Sequence, residues 1–272
     1  MRIFPLYLVT MLLLFSTVAT LTNFTLYEPL PVLLWNCTRW LIFIEPDINT
    51  LDSTKIIVAG VVWSLSFEWL FYFSLPLIGR LLFRIPLGIG PFLISFAGTT
   101  LSIILIYHFY PLWAWQRLSF FIAGIIAAFV CNQPKISKIA TTKICTIVIL
   151  IFTLSSFTLF YTSFEFIPYL LLTVSFIIIS AGNTLFGILT KKSSRLLGQI
   201  SYSIYLLHGL LLFNWFVFIF KIISKPFLHW ALVSIASIIV VVLSTSTYKY
   251  IEIVGMNLGK KIRPRVKERI PQ

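Results

Sequence analysis

Two clusters of polar side chains sit at helical spacing inside long runs of hydrocarbon. The first lies in Trp63-Ser64-Leu65-Ser66-Phe67-Glu68-Trp69-Leu70-Phe71-Tyr72. Ser64, Glu68 and Tyr72 fall at i, i+4 and i+8, so a helix places them on one face, with Trp63 beside them. An ionisable side chain in a membrane segment costs about 3 kcal/mol at the bilayer centre and is usually kept for a purpose. A carboxylate there can take a proton from a hydroxyl, or hold a hydroxyl or cation in place. The bland alternative is a structural Glu satisfied by a neighbouring helix. The second cluster lies in Leu197-Gly198-Gln199-Ile200-Ser201-Tyr202-Ser203-Ile204-Tyr205-Leu206-Leu207-His208. Ser201, Tyr205 and His208 fall at i, i+4 and i+7, again one face. A neutral imidazole near mid-membrane either glues helices together or lines a site. His108 and His229 lie near span ends without a cluster of ligands around them, and are expected to be structural. No Gly-x-Ser-x-Gly elbow, phosphate loop, dinucleotide glycine pattern or Cys/His metal set is present, so no metal is expected.

The elements that must carry these groups follow from composition. The 272 residues are 59% hydrophobic and only 11% charged, with 26 Phe and 8 Trp. The mean hydropathy is +0.99. Soluble domains carry roughly 25% charged residues, so a water-soluble globule is excluded. Apolar stretches recur near the length of about 20 residues that crosses a bilayer. The expected fold is an all-α polytopic transmembrane bundle of about eight spans. They are placed near 4–22, 63–83, 87–108, 116–131, 144–162, 165–182, 200–220 and 229–250. Residues 1–254 form one membrane domain in this reading, and 255–272 a basic cytoplasmic tail.

Charge sets the orientation. Of the 21 basic residues, only Arg39, Lys55, Arg117, Lys221 and Lys225 fall outside, so the rest mark the cytoplasmic side. The net charge of +13 therefore reflects topology and attraction to anionic lipid, and nucleic acid is not an expected partner. The segment 23–62 is the only long extracytoplasmic loop. Within it, residues 31–44 are expected to form an interfacial or re-entrant helix, with Trp35 and Trp40 at headgroup level. The N-terminal run has some features of a signal peptide, yet Pro5 and Tyr7 just after Arg2 favour a retained span. Cys37, Cys131 and Cys145 match no metal spacing and are expected to be structural.

The stretch Trp63–Tyr72 resembles a signature of the membrane-bound acyltransferase 3 family. Four further segments resemble that family in its order: Arg2-Ile3-Phe4-Pro5-Leu6-Tyr7, Phe120-Phe121-Ile122-Ala123-Gly124, the Ser201–His208 stretch, and Tyr250-Ile251-Glu252. The resemblance implies transfer of an acyl group, most often acetyl, from a cytoplasmic thioester such as acetyl-CoA or another acyl-CoA to a cell-surface glycan. The acyl-CoA is a co-substrate, and no bound cofactor is implied. The implied partners are membrane lipid, a glycan acceptor and the acyl-CoA donor. Glu68 is then the candidate catalytic residue. Trp63, Ser64, Tyr72, Ser201, Tyr205 and His208 are candidate substrate-binding residues, and Arg2 is a candidate for donor phosphates. The family has about ten spans, and its histidine in the first of them has no counterpart here. The resemblance therefore implies an N-terminally short member, and the expectation is that residues 1–272 alone do not transfer acetyl. Two readings from other classes stay open: a small transporter or flippase whose Glu and His line a path, and a non-catalytic remnant of the family.

Overall fold

The computed structural model describes residues 3–84, 86, 88–109, 114–162, 164–220 and 226–262. It is all-α, with no strand among the described residues. Two compact units divide it: residues 1–65 with 197–272, and residues 66–196.

In the first unit, α1 (Ile3–Leu21) is apolar on every side. Its hydroxyls bond back to their own helix, Thr10 to the Leu6 carbonyl at 3.0 Å and Thr17 to that of Leu13 at 2.9 Å. A polar side chain can enter a bilayer on those terms. The 12-residue helix α2 (Leu30–Leu41) follows, with Pro at its first turn. A short 3-10 turn, Thr54–Val58, leads towards α3 (Trp63–Phe83), whose first residues belong to this unit.

The segment 23–62 is no open loop. Trp40, Ile48, Ile57, Val58 and Val62 are all buried within it. Tyr7 of α1 donates its hydroxyl to the Trp40 carbonyl, and the Trp40 indole N–H donates to the Pro46 carbonyl at 2.9 Å. Trp40 is therefore a core residue, contrary to the headgroup position expected of it, while Trp35 is exposed. Its indole finds a carbonyl inside the protein, so it needs no interface to satisfy it. A helix of 12 residues, about 18 Å long, is too short to cross a bilayer.

The long helix α9 (Lys192–Asn214) continues as a π-helical turn, Trp215–Ile219. Its expected start at 200 was late by eight residues, because hydropathy marks only the apolar part of a helix. Gly209 lets the chain at Val58–Ala59 touch α9. A Cβ on Gly209 would fall 2.5 Å from the Ala59 nitrogen. Helix α10 (Pro226–Thr247) runs through a π turn, Tyr248–Glu252, into α11 (Ile253–Ile262). The basic tail thus begins as helix, and residues 263–272 lie outside the described residues.

The second unit holds the rest of α3, then α4 (Ile89–Phe109), α5 (Ala114–Cys131), α6 (Pro134–Ala140), α7 (Lys143–Leu159) and α8 (Phe166–Ser180). α4 meets α3 at Gly98, where an added Cβ would fall 2.6 Å from Cγ of Phe73. α8 is tied to α5 by the Tyr169 hydroxyl, which donates to the Ser119 carbonyl at 2.9 Å. The buried Asn183 joins the ends of α6, α7 and α8. Its amide N–H donates to the Ala140 carbonyl at 2.6 Å and to the Thr146 hydroxyl at 3.0 Å.

All eight expected spans appear as helices, but they are not equally long. Five are long and apolar enough to cross a membrane, and a sixth is counted if α5 and α6, bent by 105°, form one span. α7 and α8 have 17 and 15 residues. At 1.5 Å per residue they reach about 26 and 22 Å, short of a hydrocarbon core of about 30 Å. Local chemistry stops them. Thr142 caps the start of α7, accepting from the Cys145 amide, and Gly182 at φ 116° ends the run through α8.

Candidate functional site

Glu68 sits on the second turn of α3, about 8 Å along the helix from Trp63. It is partly buried, and among the described residues its carboxylate makes no hydrogen bond or ion pair. Tyr72 lies one turn further on the same face and is 52% exposed. Phe67, next to Glu68, is fully buried. The Arg117 guanidinium of α5 stands over its ring at 5.9 Å, and over the Phe164 ring at the same distance. Arg117 is thus held against the ring of the residue that precedes Glu68 in sequence. Sequence reading placed Arg117 outside the membrane and gave it no role. Its signal was available: it is the one cation between Arg84 and Lys135.

Ser64 and Tyr205, one residue from each cluster, meet within the first unit. The Ser64 hydroxyl donates to the Val61 carbonyl at 3.1 Å, and the Tyr205 hydroxyl donates to the same oxygen at 3.2 Å. Val61 therefore anchors the entry of α3 onto the middle of α9. Trp63 is partly buried beside this anchor. Each hydroxyl keeps lone pairs with which to accept a further hydrogen bond.

His208 lies beside Tyr205, with ring centroids 6.1 Å apart, as their spacing implies. Its Nδ1 lies 2.7 Å from the Tyr205 carbonyl and 3.2 Å from that of Ile204. Carbonyls only accept, so Nδ1 carries the proton. In the neutral ring Nε2 is then an acceptor. Among the described residues His208 makes no hydrogen bond beyond its own helix. Ser203, Tyr205 and Asn214 do make hydrogen bonds from α9 to the rest of its unit. Ser201 is exposed, and its hydroxyl donates to the Gly198 carbonyl at 2.9 Å, one turn back.

Ser203 points inward where Ser201 does not. Both Ser203 and Glu252 are fully buried, and the Ser203 hydroxyl donates to a Glu252 carboxylate oxygen. The π turn at Tyr248–Glu252 resets the phase of the helix and brings Glu252 inside. Sequence reading used Glu252 only as part of a motif and passed over Ser203. Arg2 lies outside the described residues. Among the described residues no group of three or more His, Cys, Asp or Glu is placed to hold a metal ion.

Outside the spans, Cys37 of α2 lines a small cavity of about 240 Å³ with Phe15, Val18, Leu33 and Ile48. Burial pushes its thiol pKa up, and the nearby Glu28 carboxylate pushes it further the same way. The thiol is therefore a poor nucleophile.

A family model described as an acyltransferase domain, that of the acyltransferase 3 family, matches residues 1–246. The match includes both polar clusters and stops short of Tyr250–Glu252. No curated protein and no solved structure matches the chain. Nine-tenths of the sequence falls under that one model, and the helices are those of a multi-pass membrane protein. The chain belongs to the acyltransferase 3 family.

Proposed function

We propose that this protein transfers an acyl group, in the simplest case acetyl, from a thioester such as acetyl-CoA to a hydroxyl of a cell-surface glycan. Glu68 takes the acceptor proton. The observation that carries the reading is a carboxylate on a spanning helix with no hydrogen bond or ion pair among the described residues. Such a group is costly in a membrane unless its partner is a substrate.

The step balances simply. The acceptor O–H gives its proton to Glu68 as its oxygen attacks the thioester carbonyl. The tetrahedral oxyanion collapses to an ester and expels the CoA thiolate, which regains the proton. Trp63 and Tyr72 offer ring surface and a hydroxyl to a sugar. Ser64, Ser201 and Tyr205 can accept hydrogen bonds from substrate hydroxyls, as can Nε2 of His208. Arg2 meets the donor phosphates, a role suited to a guanidinium. The protein sits in the cytoplasmic membrane with its C-terminal tail in the cytoplasm.

The test is complementation. Cells lacking the protein are supplied with wild type, Glu68→Gln or Glu68→Asp, and base-labile acyl groups on surface glycan are counted. Wild type restores them. Glu68→Gln does not, at equal membrane abundance, and Glu68→Asp restores a fraction. Full restoration by Glu68→Gln would return Glu68 to a structural role.

A further inference from the structure

The second unit contains a groove of about 330 Å³ between α3 and α5. α3 contributes Phe71, Leu75, Ile78 and Leu82, a stripe at spacings of four, three and four residues. α5 contributes Gly124 and Ala128, whose small side chains make the room. A Cβ on Gly124 would meet nothing within 4 Å. The Phe71 and Phe121 rings, 5.1 Å apart, join the two helices at the end nearer Glu68. Asn132 lines the opposite end and is exposed. It turns one amide N–H back to the Ala128 carbonyl at 3.1 Å, and its side chain makes no other hydrogen bond among the described residues.

Charge distinguishes that end. Just beyond Asn132 the chain bends by 105° into α6, which carries the exposed Lys135 and Lys138. Arg84 and Lys143 close the neighbouring helix ends. Between Glu68 and Glu165 the sequence has no acidic residue at all. A hydrocarbon slot that is joined at one end and flanked by unneutralised cations at the other fits one kind of molecule. The pantetheine arm of CoA carries amides that the apolar lining could not satisfy.

We propose that this groove is a binding site for an anionic phospholipid. One acyl chain lies between α3 and α5 with its methyl end towards Phe71. The phosphate sits at Asn132, Lys135 and Lys138. The site is independent of the acyl-transfer reading, because it rests on the groove and its charges alone.

Photo-crosslinking tests it without any measurement of activity. The full chain is placed in nanodiscs of phosphatidylcholine doped with phosphatidylglycerol that carries a diazirine in one acyl chain. The diazirine phosphatidylcholine serves as the control, and labelled peptides are mapped by mass spectrometry. Phosphatidylglycerol should label α3 and α5 at the groove well above the control. Lys135→Gln with Lys138→Gln should cut that labelling about five-fold per charge, to the level of the control. Gly124→Leu, starting from a Cβ that meets nothing within 4 Å, fills the slot and should abolish groove labelling by both lipids. Ala128→Leu does the same from the next turn, should Gly124→Leu reduce the yield of folded protein. Equal labelling by the two lipids, labelling spread evenly over the exposed helix faces, or labelling that survives both groove-filling variants would overturn the proposal.

Discussion

At the scale of single residues, sequence spacing identified faces but not partners. Ser64, Glu68 and Tyr72 were assigned to one helical face from their period, and the helix that carries them runs over the expected residues. Period alone could not choose between Ser201 and Ser203, two residues apart on one helix. The choice was made by Glu252, 49 positions away, and by the π turn that carries it inside. Ser203→Ala leaves a buried carboxylate without that donor. It should lower stability by about 1–3 kcal/mol, read as loss of folded protein on thermal titration, and Ser201→Ala should leave that stability unchanged. Cys37 gives a second test. In a Cys131→Ser, Cys145→Ser background its maleimide labelling at neutral pH should be well below that of an exposed thiol, because a raised pKa leaves little thiolate. Labelling should rise with pH past the ordinary thiol range. Glu28→Gln should speed it only in part, since burial is the larger cause.

At the scale of elements, hydropathy located every apolar helix and misjudged their ends. α9 begins at Lys192, and α10 is continued through the π turn by α11 as far as Lys261 and Ile262, because a helix continues where polar residues tolerate it. α8 stops early, because Gly182 is an end signal that a hydropathy window averages away, and α7 ends at Leu159, where the backbone turns extended at Phe160. The short helix within 23–62 was legible in the sequence, but the burial of Trp40 was not. That burial depends on the Pro46 carbonyl and on Tyr7, which no periodicity links to it. The close approach of Val58–Ala59 to α9 is similarly silent in sequence, since a glycine in a spanning helix is commonplace. Gly209→Ala should therefore force the backbone of 58–59 to shift and cost about 1–3 kcal/mol. The control is Gly124→Ala, which has open space and should be neutral or mildly stabilising. Denaturation in mild detergent distinguishes the two.

At the scale of the whole molecule, composition alone established a polytopic membrane protein, and the family match gives it a class of chemistry. The orientation rests on the bias of basic residues. Single cysteines at Asn23 and Lys261, both exposed, in a cysteine-free background should label from opposite faces of the membrane. An impermeant maleimide added outside intact cells should reach Asn23→Cys and not Lys261→Cys, and labelling of both would overturn the topology. The chemistry is tested most directly in membrane vesicles from cells that make the protein at its natural length. Acetyl-CoA labelled with carbon-14 in the acetyl group is supplied to the cytoplasmic side, and base-labile label on glycan is counted. Label should accumulate with wild type and fall to the protein-free background with Glu68→Gln at equal protein. Equal accumulation in that variant, or no accumulation that depends on the protein, would contradict the account.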